Sequence, residues 1–374
     1  MWRSEPFRLF FPLGAALAWV GIGHWAAYFL GWIEAYSCQA HGLVQVQGFL
    51  LAFALGFLLT AIPRRTATAP ASGVAIVAMA ATLVATTAAA FLDRWWLAES
   101  GTIAVLVTVV AFAARRFAAT GGRRPPAAFL LMPIGLLCAV VGAVSIAWDG
   151  SPRAAFLGRL LVTQGCFLCL VMGAGALVLP LMGGSTPPPD LGSGPRATRA
   201  AAGYLAAGLT VVATLVAEAF GSEAAAPVVR GLVVAATLAR GAGLLSPLAQ
   251  PGTNRRVARL AAWLVPVGPI VAGLLPEYRV PALHLTFVGG FALLALSVAT
   301  HVTASHCGGL AALRDGSAPS VRFVAAAVLL VASGRFVADA TATYFEHLAL
   351  AAVLWIAATA FWVARLLPAW LGRR

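Results

Sequence analysis

Lysine is absent from this 374-residue chain, so all 25 of its basic residues are arginine. Charge of either sign is scarce, at 10% of residues against 61% hydrophobic, where soluble domains run near a quarter charged and half apolar. That leaves too little charge to keep a folded surface in water and excludes a string of soluble domains. Polar–apolar alternation is missing as well. The chain instead runs apolar for about twenty residues at a time, which excludes the strands of a membrane barrel. Cysteine is limited to Cys38, Cys138, Cys166, Cys169 and Cys307. Four of these lie in or at the ends of apolar runs, so no disulfide framework is expected. The first apolar run is long enough to span and has no small-residue cleavage site after it, so no cleavable signal peptide is expected. P-loop, nucleophile-elbow, HExxH and dinucleotide-binding motifs are all missing.

What is present is apolar and aromatic, with eleven Trp and twenty Phe. The fold class expected is all-α: a polytopic membrane bundle of about twelve spans forming one domain over residues 1–374. The apolar runs fall near 9–31, 39–62, 73–92, 99–114, 127–148, 156–182, 199–220, 227–248, 257–275, 280–303, 321–341 and 345–367. The fourth is the shortest. Between them stand breakers such as Pro63, Pro125-Pro126, Pro187-Pro188-Pro189 and Pro251-Gly252.

The arginines set an orientation. Eighteen fall at one set of ends: Arg3, Arg8, Arg64, Arg65, Arg115, Arg116, Arg123, Arg124, Arg196, Arg199, Arg255, Arg256, Arg259, Arg314, Arg322, Arg365, Arg373 and Arg374. The opposite loops hold Arg94, Arg153 and Arg279, together with most of the acids, among them Glu34, Asp93, Glu99, Asp149, Glu223, Glu277, Asp339 and Glu346. Positive residues stay cytoplasmic, which predicts both termini inside an inner membrane. The net charge of +13 is then an orientation signal and an attraction to anionic lipid, with no nucleic-acid partner implied. Arg159 and Arg230 lie near enough to the outer interface to snorkel, whereas Arg240 and Arg335 lie deeper and need a partner.

Histidines sort into two layers. His24, His41, His284 and His347, from the first, second, tenth and twelfth spans, share one depth in the outer half. His301 and His306 sit at the inner end of the tenth span. His284 and His301 are 17 residues apart, or roughly 25 Å along a helix, too far to share one metal. A single histidine near a helix end is readily explained as interfacial. Four at one depth from four spans point instead to a haem or metal site, since imidazole ligates both. His41 and Gln45 share a face at i and i+4, with Gln47 nearby. Polar groups inside a span are functional or glue helices together. Cys166 and Cys169 share a face in the sixth span and read as buried thiols or a soft-metal pair.

Several of these stretches resemble the NnrS family. They are Pro6-Phe7-Arg8-Leu9-Phe10-Phe11, Gly56-Phe57-Leu58-Leu59-Thr60-Ala61-Ile62-Pro63, Pro281-Ala282-Leu283-His284-Leu285-Thr286-Phe287-Val288-Gly289 and Ser305-His306-Cys307-Gly308-Gly309. The sixth span, from Gly158-Arg159-Leu160-Leu161 to Leu179-Pro180, is similar too. The resemblance implies a twelve-span bacterial protein that binds haem and copper and takes part in the nitric oxide response or denitrification. Where members often read His-Gly-His-Glu, this chain has His41-Gly42-Leu43-Val44, so the metal constellation is not copied whole. Cofactor ligands are expected among His41, His284, His24 and His347, with Gln45 and Arg335 beside them. Metal is expected at His41 and His284, or at His301 and His306. Arg335 pairs with Asp339 or holds a haem propionate. A transporter without cofactor is the alternative. A catalytic haem–copper reductase is a further one, although it requires an adjacent His-His pair and a His-x-His on the tenth span, and neither string occurs.

Overall fold

A bilayer offers no water to backbone N–H and C=O groups, so a spanning segment must satisfy them within itself, and a helix does so along its whole length. The computed structural model follows this rule throughout. It describes residues 2–119, 123–148, 150–309, 313 and 319–372. Asp149, Arg314, Arg373 and Arg374 of the charge pattern lie outside the described residues.

Among the described residues twelve helices form the bundle: α1 (Phe7–Phe29), α2 (Cys38–Thr66), α3 (Gly73–Phe91), α4 (Trp95–Ala118), α5 (Ala127–Ala147), α6 (Pro152–Gly183), α7 (Pro195–Ala219), α8 (Ala225–Gly241), α9 (Thr253–Leu274), α10 (Pro276–Cys307), α11 (Pro319–Ala340) and α12 (Tyr344–Trp370). Eleven are long and apolar enough to span a membrane, and α8, with 17 residues, is the short one. Local chemistry sets their ends. Ser37, Ser72 and Ser151 accept from the backbone N–H three residues on, and Pro152 and Pro195 open α6 and α7, as N-caps and first-turn prolines do.

Two sequence expectations need correction. The fourth span is not the shortest, because α4 runs over 24 residues and takes Glu99 inside a helix. The eighth ends early, where Gly243 adopts φ +65° ahead of Pro247, so Arg240 stands exposed in the last turn of α8 and needs no buried partner. Arg230 does not snorkel either. It is fully buried, and its Nη2 donates to Glu218 at 2.6 Å, while Arg279 pairs with the same carboxylate.

The bundle is a threefold arrangement of four-helix sets: α1–α4, α5–α8 and α9–α12. In each set the first helix packs along the second and the third against the fourth. The first also packs on the last helix of the preceding set, α4 on α5, α8 on α9 and α12 on α1, which closes the ring. The second helix of each set, α2, α6 and α10, is the most buried of its set. Lipid tails are as apolar as leucine, so helix contacts depend on close packing rather than on water exclusion. Small residues supply it at corresponding seams. A Cβ on Gly142 of α5 would meet the Gly158 carbonyl oxygen of α6 at 2.6 Å, and one on Gly268 of α9 would meet Ala282 O of α10 at 2.7 Å.

Each central helix also widens into a π-helical stretch: Val44–Leu50 in α2, Leu161–Cys166 in α6 and Leu285–Ala292 in α10. Such stretches are rare and concentrate at functional sites.

Candidate functional site

One end of the bundle gathers both chain termini, since Arg8 donates to the carbonyls of Ala369 and Trp370 and to Cys307 Sγ. The opposite end holds the outer histidine layer. Its anchor is a single backbone carbonyl. Gly21 O of α1 accepts from Nδ1 of His24 at 3.0 Å and from Nδ1 of His41 at 2.8 Å. Glycine is required there because a Cβ would lie 2.5 Å from Gln45 Nε2 and 2.8 Å from Val44 Cγ1. The rings of His24 and His41 stand 5.7 Å apart, centroid to centroid, with Trp25 against both.

His284 repeats the device on α10, where its Nδ1 donates to Val280 O at 2.8 Å. It lies close enough to His41 for their charges to interact, as do His24 and Arg335. In all three histidines the Nδ1 proton is held by a carbonyl, which leaves Nε2 as the lone-pair nitrogen. That is the tautomer a metal or haem iron takes. His24 Nε2 is buried without any partner. His41 and His284 are only half-buried. Both sit just before a π-helical stretch: His284 immediately precedes Leu285, and His41 stands three residues before Val44.

Arg335 of α11 is buried and has internal partners. Nη1 pairs with Asp339, and Nη2 donates to the Tyr344 hydroxyl at 2.7 Å. It is also within electrostatic range of His284. Gln45 is drawn away from the layer, because its Nε2 donates to Ala18 O at 3.0 Å and bridges α2 to α1. His347 is half-buried on α12, and its side chain makes no hydrogen bond or ring contact among the described residues. Above the layer Tyr28, Tyr36 and Phe345 form a ring cluster at centroid distances of 4.9–5.2 Å, which Tyr36 joins to Trp25 at 5.1 Å.

At the terminal end both nitrogens of His306 are engaged. Nδ1 donates to Glu5 Oε1 at 2.9 Å, and Arg64 Nη1 donates to Nε2 at 2.8 Å. Phe7 meets the ring edge-on at 4.9 Å. Glu5 also accepts from Arg8 Nε at 2.6 Å. Burial pushes the Glu5 carboxyl up, but hydrogen bonds and charge from Arg8 and His306 outweigh it and hold the group below its ordinary value. His301 shares a cavity wall with His306, and its ring makes no hydrogen bond among the described residues.

The sequence model of one protein family, described as NnrS protein, matches residues 1–374. The chain belongs to the NnrS family. Among curated proteins none matches it.

Two buried polar groups of this NnrS chain escaped the sequence reading. Glu99, fully buried on α4, accepts from Gln47 Nε2 at 2.7 Å through one oxygen and leaves the other unpartnered. Placing Glu99 at the start of a span instead of one turn inside hid it. The Glu218–Arg230–Arg279 cluster was hidden because Glu218 lies near a helix end, where an acid reads as interfacial. Among the described residues no group of three or more His, Cys, Asp and Glu side chains is placed to hold a metal ion. All five cysteines are free, with Cys138, Cys166 and Cys169 buried.

Proposed function

We propose that this NnrS protein is a haem-binding protein of the bacterial inner membrane, with both termini cytoplasmic, that meets nitric oxide or a similar diatomic ligand. The observation that carries the haem reading is three histidines of the outer layer, His24, His41 and His284, each with Nδ1 tied to a backbone carbonyl and Nε2 left for a ligand. Nε2 of His41 and His284 makes no hydrogen bond among the described residues, and both side chains keep some exposure, so each nitrogen is open to a ligand. Haem fits these residues, and the described residues do not assemble a copper site.

His41 and His284 would hold the haem, with the Nδ1 hydrogen bonds keeping each ring in the ligating tautomer and raising its donor strength. His24 would stand beside them. Bound iron would supply one-electron redox chemistry and, in exchange for one imidazole, reversible binding of a diatomic. Arg335, in its planar fork to Asp339 and Tyr344, would hold positive charge near the ring and receive a propionate. The aromatic cluster of Tyr28, Tyr36 and Phe345 would shield the site from the outer water. Orientation is supported by the arginines, of which Arg8, Arg64, Arg65, Arg116, Arg255 and Arg259 stand at the terminal end, as cytoplasmic loops require.

The experiment is an absorption spectrum with iron and copper analysis on detergent-purified protein. A Soret band with iron and without stoichiometric copper is expected. A colourless, iron-free preparation that is folded and remains so with added haem would return the chain to a transporter-like reading.

A further inference from the structure

The centre of the threefold bundle is not filled. Ala54 and Phe57 on α2, Val171 and Ala174 on α6, and Ala295 and Val298 on α10 are all only half-buried, although their helices are the innermost of each set. Within each helix the pair is spaced i, i+3, so each helix turns one face to a common axis. The pairs stand at corresponding places in the three sets, since Gly48 and Gly165 precede Ala54 and Val171 by six residues each, as Gly289 precedes Ala295.

The space they face is a void in two chambers. The inner chamber, about 120 Å³, is walled by apolar side chains and Gly175 alone. Its top is formed by Leu50, Phe167 and Phe291, which belong to or adjoin the three π-helical stretches. The outer chamber, about 310 Å³, shares Phe57, Leu58 and Val178 with the first and reaches the terminal end, where Arg64, His301 and His306 line it. A water molecule needs two to four polar partners, and the inner chamber offers none. Both chambers are partly open, and apolar cavities of this size take up apolar guests such as xenon.

We propose that this axial void takes up a small, neutral, apolar molecule of diatomic size and conducts it from the terminal end to the π-helical layer. Ions are kept out by the apolar lining of the inner chamber, and larger guests by its volume. From Phe291 back to His284 is seven residues, roughly 10 Å of helix, so the void ends one short step inward of the histidines. That its destination is haem iron rests on the reading above, whereas uptake by the void does not.

Two measurements on full-length protein separate the parts. The first is xenon binding, by crystals pressurised with xenon or by ¹²⁹Xe exchange. Xenon is expected in the inner chamber of the wild type and lost from Ala174→Phe and Ala54→Phe, two substitutions on different helices that fill it. A wild type that takes up no xenon overturns the proposal, with or without haem. The second is carbon monoxide recombination after flash photolysis of the haem-loaded protein. It is expected to slow severalfold in both variants with an unchanged Soret band. Xenon displaced but recombination unchanged would overturn conduction to the histidines. Xenon bound in protein that holds no haem would support the void while sinking the haem reading.

Discussion

At the scale of single residues the account turns on which atoms already have partners. Arg335 is the sharpest case, since one guanidinium is shared between Asp339, Tyr344 and the field of two histidines. Arg335→Gln keeps much of the bulk and removes the charge. Loss of a charge-assisted contact to a propionate should speed haem release about tenfold, while Asp339→Asn should leave release near the wild-type rate. Equal effects of the two substitutions on haem, measured by transfer to an apo-globin acceptor, would leave only a structural ion pair. The terminal cluster predicts a different behaviour. Because Glu5 is held below its ordinary value, its link to Arg8 and His306 adds stability above the ordinary carboxylate range, and that stability is lost as pH falls through the lowered value. Glu5→Gln should lower the melting temperature at pH 7, by about 1 kcal/mol of stability. The gap to wild type should close in acid below about pH 4. A gap that persists or widens there would contradict the assignment. His306→Ala should destabilise similarly and leave the haem spectrum unchanged.

At the scale of helices the seam between α1 and α2 carries the site, because one carbonyl of α1 positions two histidines. Gly21→Ala places a Cβ against Val44 and Gln45 and must part the helices, at about 1–3 kcal/mol, with a shifted Soret band as Gly21 O moves. Gly23→Ala, whose Cβ would find only Ile356 Cδ1 at 3.8 Å, should change neither melting nor spectrum. If both glycines tolerate alanine equally, the shared carbonyl does not hold the rings. The helices themselves were legible in the sequence because a spanning segment must be long and apolar. The errors lie where that rule is silent: α4 begins a turn earlier because Trp95 and Trp96 are interfacial residues that still wind into the helix, and α8 stops at Gly241 although apolar residues continue. Depth was legible as well, since it follows from counting along a span. Facing was not. Gln45 and His41 share a helical face by spacing, yet Gln45 bonds to Ala18 while His41 bonds to Gly21, and only the packing of α1 decides that. His347 makes no hydrogen bond or ring contact to the layer among the described residues.

At the scale of the whole molecule, three sets of four helices place around an axis two π-helical stretches that each follow a histidine and one that does not. The repeat was hidden in the sequence because little of it survives beyond Gln47-Gly48 and Gln164-Gly165, each with its glycine fifteen residues before a proline, Pro63 or Pro180. Threefold geometry brings α2 and α10 together although more than two hundred residues separate His41 from His284. The central claim is that these two residues would together hold one haem. Electron paramagnetic resonance of the ferric protein, compared with His41→Ala and His284→Ala, tests it most directly. The account predicts a low-spin signal of two-imidazole ligation in the wild type, replaced by a high-spin signal or by loss of haem in each variant while the protein remains folded. A low-spin signal that survives both substitutions would contradict it.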